Sequence, residues 1–198
     1  MASSRSGLVV VDMQNTFCRE GGRLFVHEAQ AQLGDLADAI GTAREAALPV
    51  IYTQVIWKSP EDIPAGLRAN DPSLVDTWQA RGSLGVGTWG SQIVDAVSPQ
   101  PGDHVLSKKG FHCPGLAELA RDLGLTSAYL TGTTANNCVY AAALALFEAN
   151  LEVLAIKDLI SSFGEEFKVP WLQNIAMFLG RVITLDDFRQ TLSASEAK

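Results

Sequence analysis

Along the chain, short apolar runs alternate with stretches whose apolar residues recur at helical spacing. The run Leu8-Val9-Val10-Val11 is β-branched and ends at Asp12, the pattern of a strand covered on both faces in a parallel sheet. Over residues 30–47, Leu33, Leu36, Ala37, Ile40 and Ala43 recur at helical spacing, which predicts a helix. A second strand is predicted over 49–55 and a third over 105–108, the latter entered through Pro101-Gly102-Asp103. A helix over 116–123 is stopped by Gly124. Then come a strand over 127–132, an Ala-rich helix over 138–150, a strand over 153–156, a helix over 171–178 and a strand over 181–184. The tail after Phe188 is expected to fray.

Strand, helix, strand at this spacing means βαβ units, a parallel sheet and helices on both of its faces. The segment 58–90 carries Pro, Gly and charged interruptions and holds no sustained period. It is expected to be an irregular excursion, and a long loop inside a compact domain is more often functional than idle. Gly85-Val86-Gly87-Thr88-Trp89-Gly90 within it matches GxGxxG. No strand precedes it, so it is expected to be a flexible loop at the pocket rim rather than a dinucleotide site. Trp57, Trp78 and Trp89 in the same region are expected to be core or interface aromatics, with a lid as the alternative.

With 198 residues, the chain has the length of one domain, spanning 1–198. The apolar fraction of 47% excludes intrinsic disorder. A net charge of −7 speaks against general nucleic-acid or anionic-membrane binding. Cys18, Cys113 and Cys138 form no CxxC pair, and His27, His104 and His112 complete no zinc pattern. With no secretory signal and no transmembrane-length apolar stretch, the thiols are expected to be reduced and the protein cytoplasmic.

Ligands of open parallel sheets sit beyond the carboxyl ends of the strands. Three residues there carry chemistry: Asp12 after the first strand, Lys108 at the end of the third, and Cys138 after the turn that follows the fourth. At a helix start, Cys138 would meet unpaired N–H groups and partial positive charge, which lower a thiol pKa and can hold an oxyanion. The alternative is a small buried cysteine in an Ala-rich helix. Asp12 could exchange a proton with that thiol, or serve only as a loop charge or cap. Lys108 could hold the carboxylate ionised and stabilise a thiolate, or be a solvated charge. Lys109 is its rival, since adjacent strand residues face opposite ways.

GLVVVDMQNTF, PGDHVLSK and LTGTTANNCVYAAALA together resemble the isochorismatase-like cysteine hydrolases, over residues 7–188. The resemblance implies a Rossmann-like three-layer α/β/α sandwich with a six-stranded, mostly parallel sheet. It implies a catalytic triad of Asp12, Lys108 and Cys138, and a cis Thr133–Thr134 peptide. An oxyanion hole would come from the N–H groups of Thr134 and Cys138. Phe17, Phe111 and Asn137 are the expected substrate contacts, Phe17 being equally compatible with ordinary core.

The chain departs from the family in places. Phe111 follows Lys108 by only three residues, and Thr16 stands where many relatives have Asp. The metal ligands of nicotinamidases are replaced by Thr53-Gln54-Val55-Ile56-Trp57, so no catalytic metal and no cofactor are expected and nicotinamide is disfavoured. The expected activity is cysteine-dependent hydrolysis of a C–N bond in a small amide, ureido or carbamoyl compound, by a homodimer or homotetramer. The alternatives are vinyl ether hydrolysis of the isochorismatase type and an inactive binding protein on the same fold.

Overall fold

A computed structural model describes residues 5–196. Six strands form one sheet: β1 (Ser6–Val11), β2 (Val50–Val55), β3 (His104–Lys108), β4 (Ser127–Thr133), β5 (Glu152–Ser161) and β6 (Gly180–Ile183). Their order is β3-β2-β1-β4-β5-β6 and every pairing is parallel, so the sheet has no antiparallel member. Because side chains alternate across a strand, the buried residues divide between two faces. Leu8, Val10, Tyr52, Tyr129 and Leu154 pack on one side with α3 (Leu33–Glu45) and α9 (Leu185–Glu196). Val9, Val11, Ile51, Leu130 and Val153 pack on the other with α6 (Leu116–Asp122) and α7 (Tyr140–Glu148).

Four expectations are corrected. As far as Glu196 the tail after Phe188 does not fray, residues 197–198 lying outside the described residues: α9 runs to Glu196 because Leu185, Phe188 and Leu192, at helical spacing, bury themselves against the sheet, and Phe188 meets the Tyr129 ring edge-on at 4.8 Å. The helix expected over 171–178 starts earlier, as α8 (Glu165–Asn174), and continues as a π-helical turn over Ile175–Leu179. Its polar first turn and internal Pro170 hid that start. The excursion 58–90 contains two short helices, α4 (Ala65–Asn70) and α5 (Ser73–Asp76). Finally, the GxGxxG segment is packed rather than flexible. Thr88 Oγ1 bonds the Ser83 and Gly85 carbonyls, and a Cβ on Gly90 would lie 2.4 Å from Gly82 C.

Two further short helices, α1 (Asn15–Cys18) and α2 (His27–Ala31), follow β1. Among the described residues no helix is long and apolar enough to cross a membrane.

Candidate active site

The sheet register brings the strand ends together. Val11 pairs with Thr53 on one side and with Gly132 on the other, while Val55 pairs with Lys108. The chain leaves β1 at Asp12, whose φ of 52° turns it sharply, a left-handed conformation that Asp tolerates better than most residues. Gln14 then locks the exit. Its Nε2 donates to the Val55 and Ser91 carbonyls at 2.9 and 2.7 Å, and its Oε1 accepts from the Val55 N–H at 2.8 Å. Gly132 is needed on the other flank: at φ 111°, a Cβ there would come within 2.1 Å of Val11 O. That close approach of β4 to β1 is what sets the turn carrying Cys138 over the end of β1.

Asp12 and Lys108 are buried and paired, with Nζ 2.8 Å from Oδ2. The Thr53 hydroxyl donates to Asp12 Oδ1 at 2.7 Å, and Lys108 Nζ donates to the Phe111 carbonyl at 2.8 Å. The carboxylate thus lies against the ammonium and within hydrogen-bond reach of the Cys138 thiol. Both charged groups interact with the Cys138 thiol. Lys109 faces away, its ammonium 2.6 Å from Asp62 and largely solvent-exposed; the period-two alternation of the strand separates the two lysines.

Burial, followed by the Asp12 charge, raises the Cys138 thiol well above its ordinary pKa, and Lys108 only partly offsets them. This corrects the expectation that a helix start lowers it. Cys138 sits inside a π-helical turn over Ala135–Val139 that leads into α7, shielded from water, where a lone thiolate is poorly stabilised. For Lys108, burial alone would lower the pKa, but Asp12 and Cys138 outweigh it and the net direction is upward.

Cys138 opens onto a pocket of about 230 Å³. Phe17, Phe111, Asn137 and Thr134 also line it, whereas Asp12 and Lys108 lie behind the sulfur. Asn137 donates from Nδ2 to Thr134 Oγ1 at 3.3 Å. The Thr133–Thr134 peptide is cis, and the Thr134 N–H donates to no acceptor among the described residues. Trp57 is buried in the pocket wall, its Nε1 bonded to the Lys109 carbonyl at 2.9 Å, while Trp78 and Trp89 are half-buried. Cys18 and Cys113 are buried in the two cores, each thiol pushed up by burial, Cys18 to about 12. Among the described residues no group of three or more His, Cys, Asp or Glu side chains could hold a metal ion.

The Thr53 and Gln14 roles were not anticipated. Thr53 lies inside the strand predicted over 49–55, two residues before its end, and the register sets it level with Val11. Gln14 gave no signal, because its partners lie 41 and 77 residues away in sequence.

A sequence model described as the isochorismatase domain matches residues 6–187. The chain belongs to the isochorismatase family. It is 31% identical to the ureidoacrylate amidohydrolase RutB of Pseudomonas syringae pv. syringae, over 98% of this chain and 86% of that protein. It is likewise 31% identical to RutB of an Enterobacter species, over 97% and 91%. In structure it resembles a cysteine hydrolase from Pseudomonas syringae pv. phaseolicola, with a TM-score of 0.87, 21% identity, and 96% and 93% of the two chains covered. It also resembles an N-carbamoylsarcosine amidase from Thermoplasma acidophilum, with a TM-score of 0.72, 26% identity, and 92% and 97% covered. The six-stranded α/β fold of this chain thus matches those solved structures.

Proposed function

We propose that the protein is a cysteine-dependent amidohydrolase that cleaves the C–N bond of a small amide, ureido or carbamoyl compound through a thioester. One observation carries this reading: a thiol facing a pocket, backed by a buried ion pair whose carboxylate and ammonium both reach the sulfur. Relatives that are amidohydrolases support the bond type.

In this mechanism Asp12 Oδ2 takes the thiol proton as Cys138 Sγ attacks the substrate carbonyl, so no free thiolate need accumulate. Lys108 stays protonated and offsets the negative charge of the cluster. The carbonyl oxygen, now an oxyanion, is held by the N–H groups of Thr134 and Cys138. As the C–N bond breaks, Asp12 gives its proton to the departing nitrogen. Water then attacks the thioester, Asp12 accepts the water proton, and the C–S bond breaks with return of that proton to sulfur. Phe17, Phe111 and Asn137 contact the substrate. No cofactor takes part. The same reading has one domain over 1–198 working in the cytoplasm as a homodimer or homotetramer.

The test is ammonia release from a panel of small amides and ureido compounds by the wild type and by Cys138→Ala and Cys138→Ser. Turnover in the wild type and none in the variants supports the reading. Release of pyruvate from a vinyl ether in place of ammonia would move the protein to the other branch of chemistry, and turnover by Cys138→Ala would end the covalent mechanism.

A further inference from the structure

The walls of the pocket carry information about charge that the three reactive residues do not. Between Cys138 and solvent the lining is mainly apolar, with Leu24, Leu67, Leu74, Leu84 and Phe163 facing Trp57 and Phe111. Among the described residues two charged side chains line it, Asp71 and Lys109, and both are already paired. Lys109 holds Asp62 at 2.6 Å. Asp71 holds Arg23 Nη2 at 2.7 Å and accepts from the Ser73 hydroxyl and N–H at 2.6 and 3.1 Å. Arg23, the other cation nearby, is further tied to the Ser73 and Thr77 hydroxyls. Lys108 is committed to Asp12 and to the Phe111 carbonyl.

A substrate carboxylate entering this pocket would leave water without a free cation to meet it, and an unpaired charge in an apolar wall is strongly disfavoured. The net charge of −7 acts in the same direction. At about 230 Å³ the pocket also lies below the range of about 300–1,000 Å³ usual for drug-sized ligands.

We propose that the pocket selects small neutral amides or carbamoyl compounds with an apolar substituent, and discriminates against ureido acids and other carboxylate-bearing substrates. The word "substrate" rests on the amidohydrolase reading above, and the charge preference rests on the pocket itself, so two measurements keep them apart.

The first compares hydrolysis of 5-methylhexanamide and 4-carbamoylbutanoate, a pair in which an isopropyl group replaces a carboxylate of similar shape. The neutral amide should have a kcat/KM at least about tenfold higher. The second compares alkylation of Cys138 by iodoacetamide and by iodoacetate, followed by peptide mass. The ratio of rates is divided by the same ratio for the chain unfolded in denaturant. The quotient should exceed about ten in favour of the neutral reagent. Substituting a cation at the pocket wall, Asn70→Lys, should shift both ratios toward the anionic member.

Faster hydrolysis of 4-carbamoylbutanoate, or a quotient of one or below, overturns the charge preference and leaves the amidohydrolase reading in place. A quotient above ten with no ammonia from these two amides or from the wider panel of amides and ureido compounds supports the charge preference while removing the amidohydrolase reading.

Discussion

The sheet carries an ion pair at each end, and the two are built differently. At the amino edge, near the entry to β3, Arg44 and Asp103 approach to 2.5 Å. Asp103 Oδ2 also accepts from the Gln100 N–H at 2.7 Å, and Arg44 donates to the Tyr52 hydroxyl and the Ser98 carbonyl. Arg44 stays partly in contact with water. At the carboxyl edge, Asp12 and Lys108 are sealed from water, and a thiol stands within hydrogen-bond reach of both. The partly exposed pair holds the strand entry together. The buried one is a poor staple, because taking two charges out of water is costly, but it keeps a carboxylate beside the thiol ready to take a proton.

The comparison breaks most visibly at sulfur. Cys138→Ala should lower kcat for amide hydrolysis by about 10⁴-fold or more while changing the melting temperature by only a few degrees. Next is Asp12→Asn, which preserves shape and the capacity to accept from Thr53 but leaves Lys108 as an uncompensated buried charge. It should lose about 10³-fold in kcat and about 3 kcal/mol of stability by denaturant titration. Gly132→Ala should destabilise by about 3 kcal/mol or more, because its Cβ would press on Val11 O from a backbone conformation that only glycine adopts freely. At the other end, Arg44→Met should lose about 1 kcal/mol and keep kcat within about twofold. Equal losses of activity at the two ends would erase the distinction between them.

A further test concerns pH and separates the reactive thiol from a merely buried one. Cys18, held up to about 12 by burial, keeps its proton in the folded state at pH values where the unfolded chain has lost it. The unfolded state then binds fewer protons, so stability must fall as pH rises from about 9 toward 12, by up to about 1.4 kcal/mol per pH unit for each such thiol. Cys18→Ala should flatten that slope in chemical denaturation series without changing the pH dependence of hydrolysis near neutrality.

Much of this arrangement is legible in sequence because parallel strands buried on both faces announce themselves. Leu8-Val9-Val10-Val11 and Ser127-Ala128-Tyr129-Leu130 need no partner to be recognised, and Asp12, Lys108 and the turn before Cys138 lie where such strands end. What sequence spacing does not carry is direction and solvation. The thiol's upward shift depends on how completely α7 and the π-helical turn exclude water, which no local pattern encodes. The helix after Phe188 was missed because three apolar anchors in a polar tail are weak evidence until the sheet face they cover is known. The Gln14 clamp depends on partners brought together only by the finished fold.

The most direct test of the account is covalent. A reaction with a slowly hydrolysed amide, quenched in acid within milliseconds to seconds, should yield protein heavier by the acyl group, on the peptide containing Cys138 and absent from Cys18 and Cys113. An enzyme that releases ammonia at full rate with Cys138 unmodified at every quench time, and with Cys138→Ala still active, would contradict it.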